Sequence, residues 1–159
     1  MSGVPGSGKT TTATAIAEAT GAVILDHDVS KSALLEASVP VDIAGRASYK
    51  VLQGMAGHIL SQKRSVIFDS PCLYTEQLNF GLALADQYNV HYLYIECQTT
   101  NLDEVDRRLR ARKRHPSQLA GVRALPTDGS GKTAVGDTIF LEWMNNMKRP
   151  SDNYLLLDI

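Results

Sequence analysis

The sequence predicts an α/β domain in which a mostly parallel sheet carries helices on both faces. Two observations lead to this prediction. Short, continuous apolar runs alternate along the chain with amphipathic segments of helical period, which is the pattern of parallel strands joined by crossover helices. A glycine-rich loop at residues 3–10 also opens the first predicted helix. The 159 residues suit one hydrophobic core, so a single domain over 1–159 is expected.

Amino-acid composition further narrows the classes of protein to which this chain can belong. A hydrophobic content of 43% is ordinary for a globular protein, and a net charge of −1 gives no general attraction to nucleic acid or anionic membranes. Cys72 and Cys97 lack metal-ligand spacing, so we expect reduced thiols and a cytoplasmic location. We expect neither a signal peptide nor a membrane span, because no basic region and apolar run precede the loop and no apolar stretch is long enough.

The loop Gly3-Val4-Pro5-Gly6-Ser7-Gly8-Lys9-Thr10 matches the phosphate-binding pattern G-x-x-x-x-G-K-[ST] at every position. Its glycines let successive amides approach an anion, and the helix that follows directs its positive dipole end toward the same anion. Lys9 is expected to reach the β- and γ-phosphates, and the Thr10 hydroxyl is expected to hold Mg²⁺. The predicted nucleotide-binding residues are Gly3, Pro5, Gly6, Ser7, Gly8, Lys9, Thr10 and Thr11.

A buried strand normally leads into this loop, but only Met1 and Ser2 precede Gly3. Two residues are too few for a strand, which usually has ~5–6. The first strand, which is central in this fold, is therefore expected to be missing. Either the true start lies upstream, or the sheet is built with a hole.

Helices and strands then alternate in a regular order. A helix is predicted from Lys9 to about Ala19, further helices over 30–37, 42–62, 75–88, 101–113 and 137–148, and strands over 22–25, 65–68, 90–97 and 153–159. Asp42 is a plausible N-cap of the longest helix. The positions expected to face the core are Ala13, Ile16, Ala17, Ala44, Ala47, Val51, Met55, Ile59, Leu78, Leu82, Ala85, Ile139, Phe140, Trp143 and Met147.

Acidic residues follow two of the predicted strands. Asp26 and Asp28 come after the first, and Asp69 comes after the second. In open α/β sheets the carboxyl ends of the strands form the ligand-binding edge. Asp69 is therefore expected to serve the metal with Thr10, although it could simply form a turn before Pro71. Asp28, one step into the loop, is the better candidate for a catalytic base, because Asp26 could simply cap a helix. Turn chemistry or an N-cap is the alternative for both residues.

The segment 107–136 is expected to form a basic lid followed by a mobile loop. Six of the eight residues from Arg107 to Arg114 are basic, which is more than a helix dipole requires. Arg108 and Arg112 lie at i and i+4, so they are expected to stabilise transferred charge as a pair. The stretch 129–133 looks like a second phosphate loop, but we reject it because Pro126 stands where the pattern needs glycine.

At this point the sequence resembles the small phosphate-loop kinases, and more closely the zeta-toxin, chloramphenicol phosphotransferase and polynucleotide kinase branch. The stretches 2–11, 24–36, 65–71, 107–112 and 143–159 carry the likeness. The resemblance implies an ATP- and Mg²⁺-dependent kinase with a lid, a five-stranded parallel sheet and helices on both faces. The fold that the resemblance implies is a P-loop NTPase fold of the nucleoside-kinase-like kind, with an AAA-type ATP-binding domain. The first strand of the family has no match here.

The resemblance also assigns roles to single residues. In the branch an acid after the second strand is the general base, and a basic residue three positions on contacts the substrate. Asp28 and Lys31 match this pattern, although Lys31 departs from the arginine often found there and loses bidentate recognition of phosphate. The lid arginines map to Arg108 and Arg112, with Arg114 as a further candidate.

Two other arginines are considered from the sequence alone. Arg46 is a candidate contact for a substrate phosphate, with a solvated helix face as the alternative. Arg149 is considered for stacking on adenine, with an ordinary surface arginine as the alternative. The sequence does not show how the base is recognised.

The function expected from all of this is transfer of the γ-phosphate of ATP to a hydroxyl of an acceptor. The near-neutral net charge favours a small-molecule acceptor over a polynucleotide. Three alternatives stay open, namely an ATPase or nucleotide-sensing module, a 5′-hydroxyl polynucleotide kinase and a non-catalytic remnant. The acceptor and the oligomeric state are not readable from the sequence.

Overall fold

The computed structural model describes residues 1–123 and 135–159, and within these ranges it has four strands and six helices. The strands are β1 Val23–Asp26, β2 Val66–Asp69, β3 Tyr94–Gln98 and β4 Tyr154–Asp158. The helices are α1 Lys9–Thr20, α2 His27–Glu36, α3 Val41–Ser61, α4 Thr75–Tyr88, α5 Leu102–Ala111 and α6 Gly136–Asn145. The predicted α/β alternation is confirmed. Most of the predicted mobile loop, including the stretch 129–133, lies outside the described residues.

The strands pair in parallel and form two separate ladders. β1 pairs with β2, with Asp26 opposite Asp69 at the carboxyl end. β3 pairs with β4, also in parallel. Because the acids after β1 and β2 stand side by side, the two predicted acidic positions do share one edge of the sheet.

The first two residues of the chain lie between the two ladders. The Met1 amine donates a hydrogen bond to the Phe68 carbonyl at 2.7 Å. The Ser2 amide donates to the Ile95 carbonyl at 2.7 Å, and the Ser2 carbonyl accepts from the Cys97 amide at 2.9 Å. Among the described residues, a single parallel bridge at Ser2 therefore lies at the position where the strand before the loop was expected.

Apolar side chains gather into two larger clusters around this sheet. One lies between the phosphate loop, α5 and α6 and is centred on Val105, Leu109 and Phe140, all fully buried. The other packs Leu52 and Ala56 of α3 against the first ladder. The first cluster includes Val4, so it anchors the phosphate loop to α5 and α6. No described helix is long and apolar enough to cross a membrane.

Helix α3 buries a different stripe from the one predicted. Its buried residues are Ala44, Ser48, Leu52 and Ala56, whereas Val51 and Met55 are each 46% exposed. The apolar pattern missed this because Ser48 faces inward to bind a polar partner. The predictions for Leu82 and Ile139 are also wrong, because these side chains are 39% and 38% exposed, whereas the predictions for Leu78 and Phe140 are confirmed.

Several element boundaries also differ from prediction. Helix α2 begins at His27 rather than Ser30, so Asp28 lies in its first turn and not in a loop. Asp42 lies in the first turn of α3, and Pro40 is the residue at its N-cap position. β3 begins at Tyr94 rather than Val90.

Candidate active site

The loop from Gly3 to Thr10 wraps closely around an open centre. Gly3 has φ 131°, and a Cβ there would collide with the Cys97 carbonyl. Gly6 has φ 82°, and a Cβ there would lie 3.0 Å from a methyl of Val105. These positions require glycine, because any other side chain would push the loop off the sheet or off α5.

The loop leaves a group of backbone amides available for a ligand. Gly8 stands at the N-cap of α1 in the left-handed region, and no side chain caps the helix. The first amide to find a helix partner is that of Thr12, which donates to the Gly8 carbonyl at 3.0 Å. The amides of Lys9, Thr10 and Thr11 therefore face the loop centre without an intrahelical partner, as a phosphate site requires.

Lys9 lies across this centre. Its Nζ donates to the Val4 carbonyl at 3.0 Å, which holds the side chain along the loop. Desolvation lowers the pKa of Lys9, while the carboxylates of Asp69 and Asp28 act in the opposite direction. A buried ammonium with two acids nearby is a site where the phosphates of a nucleotide would supply the missing negative charge.

The predicted metal residues meet in the structure. The Thr10 hydroxyl donates to Oδ2 of Asp69 at 2.6 Å. Asp69 is only 3% exposed, and its Oδ1 has no hydrogen-bond partner among the described residues. An orphaned buried carboxylate oxygen beside a hydroxyl fits Mg²⁺, which prefers oxygen ligands and takes few from the protein.

Two other acids lie around this pair. Oδ1 of Asp26 accepts from the amides of Asp28 and Val29 at 2.7 and 3.3 Å, so Asp26 is the N-cap of α2. Burial raises the pKa of Asp26, and the neighbouring carboxylates of Asp69 and Asp28 raise it further. This crowding of negative charge also fits a cation at the loop. No three His, Cys, Asp or Glu side chains of the described residues are placed to hold a metal ion together, so a metal here would rely on the hydroxyl, water and phosphate.

Asp28 is held by the segment that follows α5. Its Oδ2 accepts from the Gln118 amide at 3.0 Å, and its carbonyl accepts from the Ser117 hydroxyl at 3.1 Å. Ser117 is tied in turn to Ser32 of α2, with the two hydroxyls 2.8 Å apart. The segment therefore folds back over the start of α2 and covers the predicted base, whose side chain is still 41% exposed.

The two predicted lid arginines do not act as one pair. Arg112 lies close enough to Asp28 for their charges to interact, although desolvation lowers the pKa of Arg112. Its Nε is buried without a partner among the described residues. Arg108 instead donates to Glu104 at 2.8 Å on its own helix. Arg114 is exposed, and it lies close enough to Arg112 for the two like charges to interact.

The two predicted substrate residues lie on helices beside the site. Lys31 is on α2, one turn after Asp28, and its charge acts on the neighbouring His27 ring. Arg46 is on α3 and is exposed to solvent. Within residues 1–123 and 135–159, no contact of Arg46 distinguishes a substrate role from a solvated helix face.

Sequence reasoning missed a polar cluster next to Asp28. His27 Nε2 lies 2.8 Å from the Ser48 hydroxyl, and its ring stacks on Tyr49 with centroids 3.9 Å apart. The Tyr49 hydroxyl lies 2.8 Å from that of Ser70, the residue after Asp69. The cluster links α2 to the end of β2. Its only signal in the sequence was a polar pair inside an otherwise apolar helix pattern.

A second missed feature is an ion pair beneath the loop. Arg149 donates to both oxygens of Glu96 at 2.7 Å, and Glu96 is 2% exposed. Desolvation acts to raise the pKa of Glu96, but hydrogen bonds from Arg149 and Gln98 outweigh it and leave that pKa lowered. The exposed side chain of Arg149 is therefore anchored by a buried acid, and stacking on adenine stays a prediction for it.

These features together define a P-loop kinase-like fold. The chain belongs to the AAA domain family, whose profile matches residues 1–124. A candidate kinase from Chloroflexus aurantiacus has a similar structure, with a TM-score of 0.65 and 18% identity over 99% of this chain and 84% of that one. The APS kinase CysC of Mycobacterium tuberculosis, solved with AMPPNP and APS, gives 0.60 and 18% over 98% and 84%. No curated protein matches the chain.

Proposed function

We propose that this protein is an ATP- and Mg²⁺-dependent kinase that transfers the γ-phosphate to a hydroxyl group of a small-molecule acceptor. The observation that carries the proposal is the meeting of three groups at one loop. Lys9 lies at the centre of the loop, the Thr10–Asp69 pair lies at its metal side, and Asp28 lies close enough to act on the charge of Lys9. Phosphoryl transfer needs this combination of phosphate binding, metal site and carboxylate base.

Each residue then has a definite task. The amides of Lys9, Thr10 and Thr11 bind the phosphates, and the Lys9 ammonium neutralises charge on them. Thr10 and Asp69 would hold Mg²⁺, which when bound supplies further charge neutralisation between the phosphates. Asp28 accepts the proton of the attacking hydroxyl.

The lid forms the second half of the proposed mechanism. Arg112 lies close enough to Asp28 for their charges to interact, so it is the better placed of the two predicted arginines to neutralise the transferring group. Arg108 would have to leave Glu104 before it could join Arg112. We therefore assign the lid role to the segment 107–120, which in this structure is closed over Asp28 through Ser117 and Gln118.

For the acceptor, we propose only candidate contact residues and a broad chemical class. Lys31 lies one turn along α2 from Asp28, which suits a contact to an anionic group on the acceptor, and Arg46 is a more distant candidate. The similar APS kinase structure holds a nucleotide analogue together with APS, which supports a site for two ligands on this fold. The net charge of −1 favours a small acceptor over nucleic acid. A place in the zeta-toxin, chloramphenicol phosphotransferase and polynucleotide kinase branch and a cytoplasmic location belong to the same proposal.

The test compares Asp28→Asn with Asp42→Asn, a matched change at an exposed site on α3. Binding of Mg-ATP is measured by calorimetry, and transfer from radiolabelled ATP is measured on nucleosides, sugars, amino alcohols and a 5′-hydroxyl oligonucleotide. We expect Asp28→Asn to lower transfer by about 10²-fold or more while ATP affinity stays within about twofold. Asp42→Asn should change neither quantity.

Other outcomes would separate the alternatives. ATP hydrolysis without an acceptor that survives Asp28→Asn would contradict the kinase proposal and indicate an ATPase. Transfer to the oligonucleotide with steeply salt-dependent binding would contradict the small-molecule acceptor. Absence of Mg-ATP binding in the unmodified chain would indicate a non-catalytic remnant.

A further inference from the structure

His27 lies beside the proposed base Asp28, and its hydrogen bonds assign which ring nitrogen carries the proton. The Ser48 hydroxyl donates its single proton to the Gly45 carbonyl at 2.8 Å. Ser48 Oγ is therefore left as an acceptor for His27 Nε2, which lies 2.8 Å away. The Gly45 carbonyl, 3.5 Å from the same nitrogen, is a second acceptor. In the neutral ring the proton is thus on Nε2, and Nδ1 carries a lone pair.

The unprotonated Nδ1 is the ring nitrogen that lies near Asp28. It is 4.0 Å from Oδ1 of Asp28, which is too far for a hydrogen bond. In the part of the chain that the structure describes, every hydrogen bond of the ring is made by Nε2. Burial lowers the pKa of His27 by more than Asp28 raises it, so the ring is neutral at neutral pH. Stacking on Tyr49, with centroids 3.9 Å apart, holds the ring in this orientation.

The two carboxylate oxygens of Asp28 have different surroundings. Oδ2 accepts from the side-chain amide of Gln118 at 3.0 Å. The oxygen of that amide accepts from the His115 backbone amide at 3.1 Å, so Gln118 is held at both ends with its N–H groups toward Asp28. Oδ1 is the carboxylate oxygen on the His27 side. The oxygen that Gln118 leaves open to an acceptor therefore lies next to a second, neutral hydrogen-bond acceptor.

Two hydrogen-bond acceptors at this separation select a ligand with two donors. A single hydroxyl has one proton, so it satisfies either Nδ1 of His27 or Oδ1 of Asp28 but not both. Two hydroxyls on adjacent carbons can each donate to one of these atoms, at about 2.8 Å per hydrogen bond. An ammonium group could also donate to both, but Lys31 lies close to His27 and Arg112 lies close to Asp28. Their positive charges oppose a cation at this position and favour a neutral diol.

We propose that His27 determines the specificity for the acceptor, because its Nδ1 binds the second hydroxyl of a vicinal diol whose first hydroxyl donates to Oδ1 of Asp28 and receives the phosphate. This inference rests on the proposed kinase function. The reacting oxygen forms a bond to the γ-phosphorus, the bond from that phosphorus to the ADP oxygen breaks, and the proton passes to Asp28. His27 keeps its own proton on Nε2 and takes none from the acceptor.

Four probes built on one cyclohexane ring test the substrate class. They are cis-cyclohexane-1,2-diol, cyclohexanol, trans-cyclohexane-1,4-diol and cis-2-aminocyclohexanol, and transfer from radiolabelled ATP gives kcat/KM for each. We expect kcat/KM for the vicinal diol to be about tenfold above the other three, the effect of one added hydrogen bond. Equal values for the vicinal diol and cyclohexanol would overturn the inference and leave the kinase function in place. A value for the separated diol or the amino alcohol that matches or exceeds that of the vicinal diol would do the same.

Two substitutions test the role of the ring nitrogen. His27→Gln keeps an N–H near the position of Nε2 for Ser48 but has no acceptor near the position of Nδ1. It should lower kcat/KM for the vicinal diol to the cyclohexanol value and leave that of cyclohexanol unchanged. His27→Asn places an amide near the position of Nδ1 and should keep part of the preference, and His58→Gln, at an exposed site on α3, should keep all of it. A full preference in His27→Gln, or an equal loss for both probes, would contradict the role of His27.

A measurement on the unmodified chain does not depend on how these variants fold. NMR of the ¹⁵N-labelled ring, with and without a non-hydrolysable ATP analogue, identifies the protonated nitrogen and follows Nδ1 as a probe is added. We expect a proton on Nε2 and a saturable shift of Nδ1 with the vicinal diol but not with cyclohexanol. A proton on Nδ1, or an Nδ1 that does not respond to the diol, would refute the inference. If neither these probes nor the acceptors named above receive phosphate, the proposed function fails, whereas the diol site stands or falls with the shift of Nδ1.

Discussion

At the scale of single residues, the site depends on side chains that are buried and only partly satisfied. Asp69 shows this most clearly, because one of its oxygens binds Thr10 and the other has no partner among the described residues. A buried, half-satisfied carboxylate costs stability unless a ligand completes it. Asp69 lies beside the Thr10 hydroxyl at the edge of the phosphate loop, so a metal bound there is the ligand that would complete its carboxylate.

The first prediction concerns Asp69→Asn. The amide can still accept from Thr10 but carries no charge for a metal, so Mg-ATP affinity should fall about tenfold or more, while affinity for metal-free ATP should be unchanged or higher. Calorimetry with and without Mg²⁺ measures both values. Asp86→Asn, at an exposed position on α4, is the control and should alter neither. An equal loss of affinity with and without Mg²⁺ would instead indicate that Asp69 supports the loop and not the metal.

The second prediction concerns the ion pair between the buried Glu96 and Arg149, whose side chain is 37% exposed. Arg149→Met leaves a buried carboxylate without its main partner, which should lower the free energy of unfolding by about 2 kcal/mol at neutral pH. The pKa of Glu96 is lowered in the folded chain, so its contribution to stability is present above about pH 4.5 and is lost as the pH falls.

Urea unfolding at pH 7 and at pH 3 measures both parts of this prediction. The gap between the wild type and Arg149→Met should shrink at pH 3. A gap that is the same at both pH values would show that Arg149 acts through packing and not through its charge.

Sequence reasoning identified some of these residues and missed others for a physical reason. Lys9, Thr10 and Asp69 were predicted because the loop pattern and the end of a strand mark them locally. Glu96 and Arg149 are 53 positions apart, and nothing near either residue marks it as a partner. Their pairing depends on how β3 and the segment after α6 pack together, which only the tertiary structure shows.

At the scale of elements, α2 connects the cap, the base and the lid. Asp26 at the end of β1 caps α2 by accepting hydrogen bonds from the amides of Asp28 and Val29, and it thereby positions the backbone of Asp28. We expect Asp26→Ala to cost about 1 kcal/mol of stability, the usual value for loss of an N-cap. Denaturant unfolding measures this value. Asp42→Ala, which removes an acid from the first turn of α3 but no cap, should cost clearly less, and equal costs would argue against the capping role.

The lid gives a further prediction at the same scale. Ser117→Ala removes the hydroxyl that binds the Asp28 carbonyl and Ser32, so the segment after α5 should detach from α2 more often. Trypsin should then cut faster at Arg112, Lys113 and Arg114. Mass spectrometry of the fragments gives the rate at each site. Ser151→Ala, at an exposed position outside the lid, is the control. An unchanged rate in Ser117→Ala would show that Gln118 and the Ser117 backbone amide, which donates to Ser32, are enough to hold the lid.

Element boundaries were predictable only where the chain marks them locally. The start of α1 follows from the loop, and the order of strands and helices follows from the apolar runs. The start of α2 was missed because Asp26 serves as strand end and cap at once, which leaves no loop between them. The face of α3 was missed because Ser48 is buried against His27, and a pattern of apolar residues cannot register a polar side chain that turns inward.

At the scale of the whole molecule, the loop is supported from two directions. Met1 and Ser2 connect the two ladders above it, and the cluster of Val105, Leu109 and Phe140 packs below it. Because these contacts come from distant parts of the chain, a ligand that binds the loop should stabilise the whole fold and not only the loop. Nucleotide binding and global stability should therefore be linked.

The final prediction tests this linkage. At a concentration about 100 times its Kd, Mg-ATP should add about 2.7 kcal/mol to the stability of the unmodified chain. For a chain of this size that corresponds to a rise in Tm of about 5–10 °C. Lys9→Ala should bind too weakly to show the rise, whereas Lys50→Ala, which removes an exposed lysine from α3, should show it in full. Scanning calorimetry with and without Mg-ATP measures the three chains. A rise of the same size in Lys9→Ala would place the nucleotide outside the loop, because the Lys9 ammonium lies at the loop centre and must contribute to any phosphate bound there.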